Sequence, residues 1–515
     1  MPRAALLATL RKPTQPASSY PQQEPEEPAY SGLEYFTQLP VELLTIIAKQ
    51  CHADAIRKIE YPVPTDTEPS YVKPILALAG VSQRLRSIIL RESSFWSYIR
   101  IDARRTKEDV VMACLERSKS HPLTILWIGE NDTNGPESPL LKTIVKRSHR
   151  WISFYILAPN ATYLRLMFME GPFCDVKAPI LRKLYVACVG GDDEYFGEDT
   201  FRNFPSIQHL QMFQYPFWAI GKRMESLTRL EVDVPYGGQF SFEQLASIAE
   251  ILVHLEHLSL SEAIAFERQG EFLWDEEERG RWITWPSLLV LVLRSGDPDC
   301  YGYIWQYLKI FRAPRLQKFI AIGPNWQNFV TSDADASRIS LNMPLVKEVS
   351  LVEPDIDIDG DSARRLSTFF PGLAHLSLCC DTDPWSRPIN GSFFDLNGLS
   401  DTKICPNLEY ITLGAIQDEI VLHTIARCLQ NRKAGGRGVR KVFIPRDQPR
   451  MAEILERAKV DLGVADLLEM SDYSLDPDRH VYYLLDHPPG QPGDDFASPI
   501  TQEMQQTTLE VREGR

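Results

Sequence analysis

The sequence predicts an α/β protein in which a short helical segment precedes a long, irregular solenoid that contributes one strand per repeat. Three observations carry this reading. The chain has 515 residues, more than one compact core accommodates unless the fold grows by stacking. Between positions 40 and 90 apolar side chains recur at spacings of three and four, the helical period. From about residue 120 the period changes to two, in short bursts that recur at about 29 residues on average.

Composition narrows the function. With 44% hydrophobic and 24% charged residues and a mean hydropathy of -0.22, the chain is an ordinary globular protein. A net charge of -14 and a pI near 5.3 argue against a nucleic-acid partner and point to a protein partner. Nine cysteines without a Cys-x-x-Cys pair suit a reducing compartment, cytoplasm or nucleus, rather than a disulfide framework. No run of 18 apolar residues exists, so no membrane span is expected. Residues 1–32, crowded with Pro, Gln, Glu and Ser, and residues 486–515, with Pro488, Pro489, Gly490, Pro492 and Gly493, read as disordered tails. Between them lie a helical segment, 33–105, and the repeat region, 106–485.

The first helix is expected to begin at Pro40, because Leu43, Leu44, Ile46, Ile47 and Cys51 share a helical stripe. Asp54–Lys73 holds Pro62, Pro64, Asp66 and Pro69 with weak periodicity and reads as a mobile loop. A single second helix should then carry Ile75, Leu78, Ala79, Val81, Ser82, Leu85, Ile88 and Ile89.

The repeat has the form P-x-L-x-x-L-x-L. Its firm copies, written as anchor, anchor+3 and anchor+5, run from Leu181/Leu184/Val186 through Leu258 and Leu376 in later copies to Val439/Val442/Ile444, ten in all. Looser candidates are Leu123/Leu126/Ile128 and Ala161/Leu164/Leu166. Seven firm copies carry Pro two residues before the anchor: Pro179, Pro205, Pro286, Pro314, Pro344, Pro371 and Pro406. Proline cannot continue a preceding helix and is tolerated where a strand begins. Apolar residues at +3 and +5 then share one strand face, with +2 and +4 pointing away.

Gln38-Leu39-Pro40-Val41-Glu42-Leu43-Leu44-Thr45-Ile46-Ile47, with Leu78-Ala79-Gly80-Val81-Ser82-Gln83-Arg84-Leu85-Arg86 and Phe95-Trp96-Ser97-Tyr98-Ile99, resembles an F-box. In that family the Leu-Pro opening and two short helices dock on the Skp adaptor, which links to cullin, a RING protein and a ubiquitin-conjugating enzyme. The resemblance implies adaptor-facing or supporting roles for Leu39, Pro40, Leu44, Ile47, Leu78, Val81, Leu85 and Trp96. Two features depart from the pattern: the Asp54–Lys73 loop is long, and Leu85 stands where many members have Trp. The following region resembles the leucine-rich repeats of fungal F-box proteins. The Asn or Cys that ordinary repeats place after the strand is absent, since anchor+8 reads Val189, Tyr215, Pro235, Ala263 and Gly296, so the turns are expected to vary.

No constellation points to catalysis, a metal or a cofactor. Asp355-x-Asp357-x-Asp359-Gly360 begins like a calcium loop, yet Leu366 stands where the bidentate Glu belongs and Arg364 and Arg365 would repel a cation, so it reads as a solvated acidic loop. His209, His257 and His375 each fall at anchor+2 of separate copies, outward positions a repeat or more apart, which disfavours zinc; His254 is the fourth histidine of this set. Gly435-Gly436-Arg437-Gly438 lacks the Lys-Ser/Thr ending of a phosphate loop and reads as a turn. Asp192-Asp193-Glu194 and Asp275-Glu276-Glu277-Glu278, with Trp274, Trp282 and Trp285, form either a recognition patch or solvated loops beside buried tryptophans. The expected function is that of a substrate-recognition subunit of a Skp-cullin-F-box ubiquitin ligase, non-catalytic and with an unknown protein substrate. The alternative is a repeat scaffold unconnected with ubiquitin transfer.

Overall fold

The computed structural model describes residues 39–59, 72–129, 138–174, 176–188, 201, 204–213, 224–233, 242–261, 282–294, 303–322, 339–352, 358–379, 396–413, 419–445 and 467–471. The protein is α/β. Among the described residues three helices come first: α1 (Val41–Ile59), α2 (Val72–Val81) and α3 (Gln83–Arg91). A 3-10 turn, Ser93–Trp96, delivers the chain into β1 (Tyr98–Asp102). Among the described residues a fourteen-stranded sheet follows in chain order, every pair parallel. After β1 come β2 (Leu123–Ile128), β3 (Trp151–Ala158), β4 (Lys183–Cys188), β5 (His209–Phe213), β6 (Arg229–Asp233) and β7 (His257–Ser261). Then β8 (Ile283–Thr284) leaves to pair with β10 (Phe311–Arg312) in a separate two-stranded sheet. The main sheet continues with β9 (Val290–Arg294), β11 (Lys318–Ile322), β12 (Glu348–Val352), β13 (His375–Cys379), β14 (Tyr410–Leu413), β15 (Lys441–Pro445) and β16 (Leu468–Ser471). Parallel strands need a crossover between them, and in several places it is a helix. Examples are α4 (Glu108–Arg117), α5 (Pro139–Val145), α6 (Ala161–Arg165), α7 (Phe242–Ile251), α8 (Tyr303–Ile310), α9 (Gly360–Phe369) and α10 (Glu419–Ala434).

All ten firm copies of the repeat lie on strands in one register: Leu184, Leu210, Leu230, Leu258, Leu291, Phe319, Val349, Leu376, Ile411 and Val442 are successive partners. No anchor, +3 or +5 residue of these copies exceeds 3% exposure. The residue three before the anchor is buried as well, as Phe204, Met224, Leu252, Trp285, Met343 and Phe370 illustrate, and its carbonyl commonly accepts from the anchor amide, as in Ile207 N to Phe204 O at 3.3 Å. Between copies the amides at +1 and +2 share one carbonyl of the preceding copy; Gln208 N and His209 N both donate to Arg182 O, at 2.8 and 2.9 Å. Side chains add to this stitching where the strands begin. Ser206 Oγ donates to Pro179 O at 2.6 Å, Ser226 Oγ to Pro205 O at 2.6 Å and Asn407 Nδ2 to Pro371 O at 3.0 Å. A ladder was expected to be missing at the far end of the strand; a partial one exists at the near end.

Four expectations are corrected. The two looser copies are out of register: the true partners of Leu184 are Phe154 and, beyond it, Ile125, and Ala161–Arg165 is α6. Aromatic anchors hid the first copies, because Trp96/Ile99/Ile101 and Trp151/Phe154/Ile156 carry no Pro-x-Leu. The sheet thus begins inside the 33–105 segment. Asp54–Ile59, expected in the loop, continue α1, while Val72 and Lys73 begin α2; positions 60–71 lie outside the described residues. The single second helix is two, divided where Ser82 leaves helical geometry (φ -155°, ψ 158°) and its side chain accepts from Leu85 N at 3.1 Å as the N-cap of α3. Both expected tails also lie outside the described residues.

Candidate partner-docking site

The helical segment has an inner and an outer side. Leu44, Leu85 and Ile88 are buried together with Leu39 against them. Ala48, Ala79, Ile89, Phe95 and Trp96 belong to the same core as the sheet, with Leu78 packed on it. Trp96 is fixed from two directions: its Nε1 donates to Ile89 O at 2.9 Å, and the Arg117 guanidinium lies 4.5 Å from its ring centre. Lys49 Nζ lies 3.2 Å from Glu92 Oε1, and the Ser94 hydroxyl bond to that carboxylate, seconded by Lys49, holds it below the usual range. Over residues 41–53 the inward residues of α1 are Leu44, Ala48 and His52, at four-residue intervals. This corrects the predicted stripe, because Leu43 and Ile46 are exposed at 47% and 62%. Val41, Leu76, Val81 and Leu90 are also exposed apolar residues, so all three helices carry such side chains.

The eight residues singled out in the sequence therefore separate. Leu39, Leu44 and Leu85 meet in one cluster. Trp96 is buried elsewhere, in the sheet core, and Leu78 is half-buried against that core. Ile47 is half-buried. Pro40 and Val81 face solvent, with Pro40 O accepting from Leu44 N at 3.0 Å. Val41, Leu43, Ile46, Leu76 and Leu90 were not assigned to the site. The signal was present: positions 41, 43, 44, 46 and 47 are all apolar, more than one helix face can bury.

On the sheet face away from the main core, His209, Arg229, Glu231 and His257 form a buried polar cluster on β5, β6 and β7. Arg229 Nε donates to Glu231 Oε1 at 2.6 Å, and His209 Nε2 lies 3.1 Å from the same oxygen. Burial works against the Glu231 charge, but Arg229 and His209 override it and hold the carboxyl well below its ordinary range. Burial, with Arg229 close by, pushes His257 well below its ordinary value. His209 is thus held by Glu231 rather than separately solvated, while His257 is buried nearby with its Nε2 lacking a hydrogen-bond partner among the described residues. The Asp359 carboxylate accepts from Ser362 N at 2.7 Å as the N-cap of α9; Asp355 and Asp357 lie outside the described residues, as do both acidic loops and Trp274. Trp285 is fully buried at an anchor-3 position, and Gly436, at φ +78°, ends α10. Among the described residues no helix is long and apolar enough to cross a membrane. Comparison with models of known protein families finds no match, and no curated protein matches the chain.

Proposed function

We propose that the protein is a substrate receptor of a Skp-cullin-F-box ubiquitin ligase, with α1–α3 docking on the Skp adaptor and a leucine-rich-repeat-like solenoid carrying a protein substrate. The observation that carries this reading is the exposure of Val41, Leu43, Ile46, Leu76, Val81 and Leu90 on helices whose other side is already held by the sheet core. Solvent-exposed apolar side chains on each of three helices suit a partner surface. The protein itself performs no chemistry in this scheme. It raises the local concentration of substrate lysines near a ubiquitin thioester held by other subunits.

A second reading has its own support: Ala48, Ala79, Ile89 and Trp96 share the sheet core, as the cap of a scaffold would. Capture of full-length protein by purified Skp adaptor separates the two. Leu43→Asp/Ile46→Asp should abolish capture while leaving the melting temperature nearly unchanged, because both residues are exposed. A wild-type chain that fails to bind the adaptor would leave the scaffold reading.

A further inference from the structure

We propose that the rim formed by the starts of the strands docks an acidic protein segment with interspersed apolar residues. In the ten firm copies the rim runs from two residues before the buried anchor to two after it. The copies form one continuous band, because each is hydrogen-bonded to its predecessor through the +1 and +2 amides, as Lys347 N and Glu348 N are to Gln317 O at 2.9 and 3.1 Å. Nine Lys or Arg and four Glu occupy these positions, in a chain whose net charge is -14; one of the nine, Arg229, is held by Glu231, which leaves eight against four. The rim is therefore a positive band on an acidic protein, the arrangement that steers and holds an opposite charge.

Two of the four carboxylates are already engaged on the rim itself: Glu348 Oε2 lies 3.3 Å from Lys318 Nζ, and Glu409 Oε1 lies 3.2 Å from Arg440 Nη2. Glu225 and Glu256 are exposed. Arg182, Arg315, Lys347 and Arg440 are exposed as well, and Lys183 and Lys318 stand half-buried behind them. Apolar side chains interrupt the charges, with Ile180 at 42%, Val253 at 41% and Leu345 at 49% exposure. Neighbouring strands lie about 4.8 Å apart, so Arg315 and Lys347, on adjacent copies, can address neighbouring acidic residues of one extended chain, which rises about 3.3 Å per residue. A nucleic acid fits less well, because an overall negative chain repels a phosphate polymer.

This surface is separate from the helices and does not rest on adaptor docking. The test uses full-length protein and a fluorescein-labelled peptide of repeating Glu-Glu-Leu, followed by anisotropy. Binding should weaken as NaCl rises from about 50 to about 300 mM. The same peptide with Gln for Glu should bind at least tenfold more weakly. Arg182→Glu/Arg315→Glu/Lys347→Glu should lose about tenfold or more at unchanged melting temperature, and the milder Arg182→Gln/Arg315→Gln/Lys347→Gln a smaller but measurable part of that. Leu43→Asp/Ile46→Asp should bind the peptide as wild type does. The proposal is overturned by equal binding of the Gln peptide, by wild-type affinity in both rim variants, by loss of peptide binding in the helical variant, or by an oligonucleotide that outcompetes the peptide.

Discussion

His52 shows how one side chain reports the seating of the N-terminal helices. It is 7% exposed, stacks edge-on against Phe95 with ring centres 5.5 Å apart, and neither ring nitrogen has a hydrogen-bond partner among the described residues. Burial lowers its pKa from 6.5 to about 4. Between those values the unfolded chain binds a proton that the folded chain refuses, so stability is full above about pH 6.5 and falls as the pH drops toward 4. The loss attributable to this group is on the order of 3 kcal/mol. His209, His257 and His375 are lowered as well and act in the same direction, so the informative quantity is a difference. His52→Leu should give a shallower pH dependence of urea-unfolding stability across this window than wild type, and parallel curves would refute the assignment.

At the scale of elements, a boundary turns on a single hydroxyl. Ser82 separates α2 from α3 and caps the latter, and its removal leaves an amide of the first turn unsatisfied. Ser82→Ala should cost about 1 kcal/mol, measured by chemical denaturation, with Leu85, Ile88 and Ile89 losing packing first because they are the buried residues of that helix. The sequence concealed this break because Ala79, Val81 and Ser82 keep the helical spacing across it. Strands were legible where proline and aliphatic residues coincide: Leu373/Leu376/Leu378 follows Pro371 and is buried throughout. They were illegible where an aromatic replaces the anchor, as with Trp151, whose ring stacks on Phe154 at 4.5 Å between centres. The buried side of α1 was misread because Ala48 and His52 are weak hydrophobic signals, while the stronger Leu43 and Ile46 face outward. Where both faces of a helix are apolar, hydrophobicity alone does not say which one is buried.

For the whole molecule, the decisive fact is that one apolar core runs from Ala48 through Trp96 and the strands to Ile444. Because that core is shared, the helical segment should open together with the first strands rather than alone. Ile89 and Trp96 are the hinge of that coupling: the Trp96 indole donates to Ile89 O, and Ile99, three residues on, begins the in-register row with Ile125. Native-state hydrogen exchange should therefore give α3 and β1 similar opening free energies, and Trp96→Ala should lower both together by about 3–5 kcal/mol. A docking module independent of the sheet would instead exchange faster in α1–α3 while β1 kept its protection. The same experiment with adaptor present bears on function, because a partner that binds only the folded helices stabilises whatever is coupled to them. Slowed exchange that reaches β1 and β2 would mean that adaptor binding also stiffens the start of the sheet.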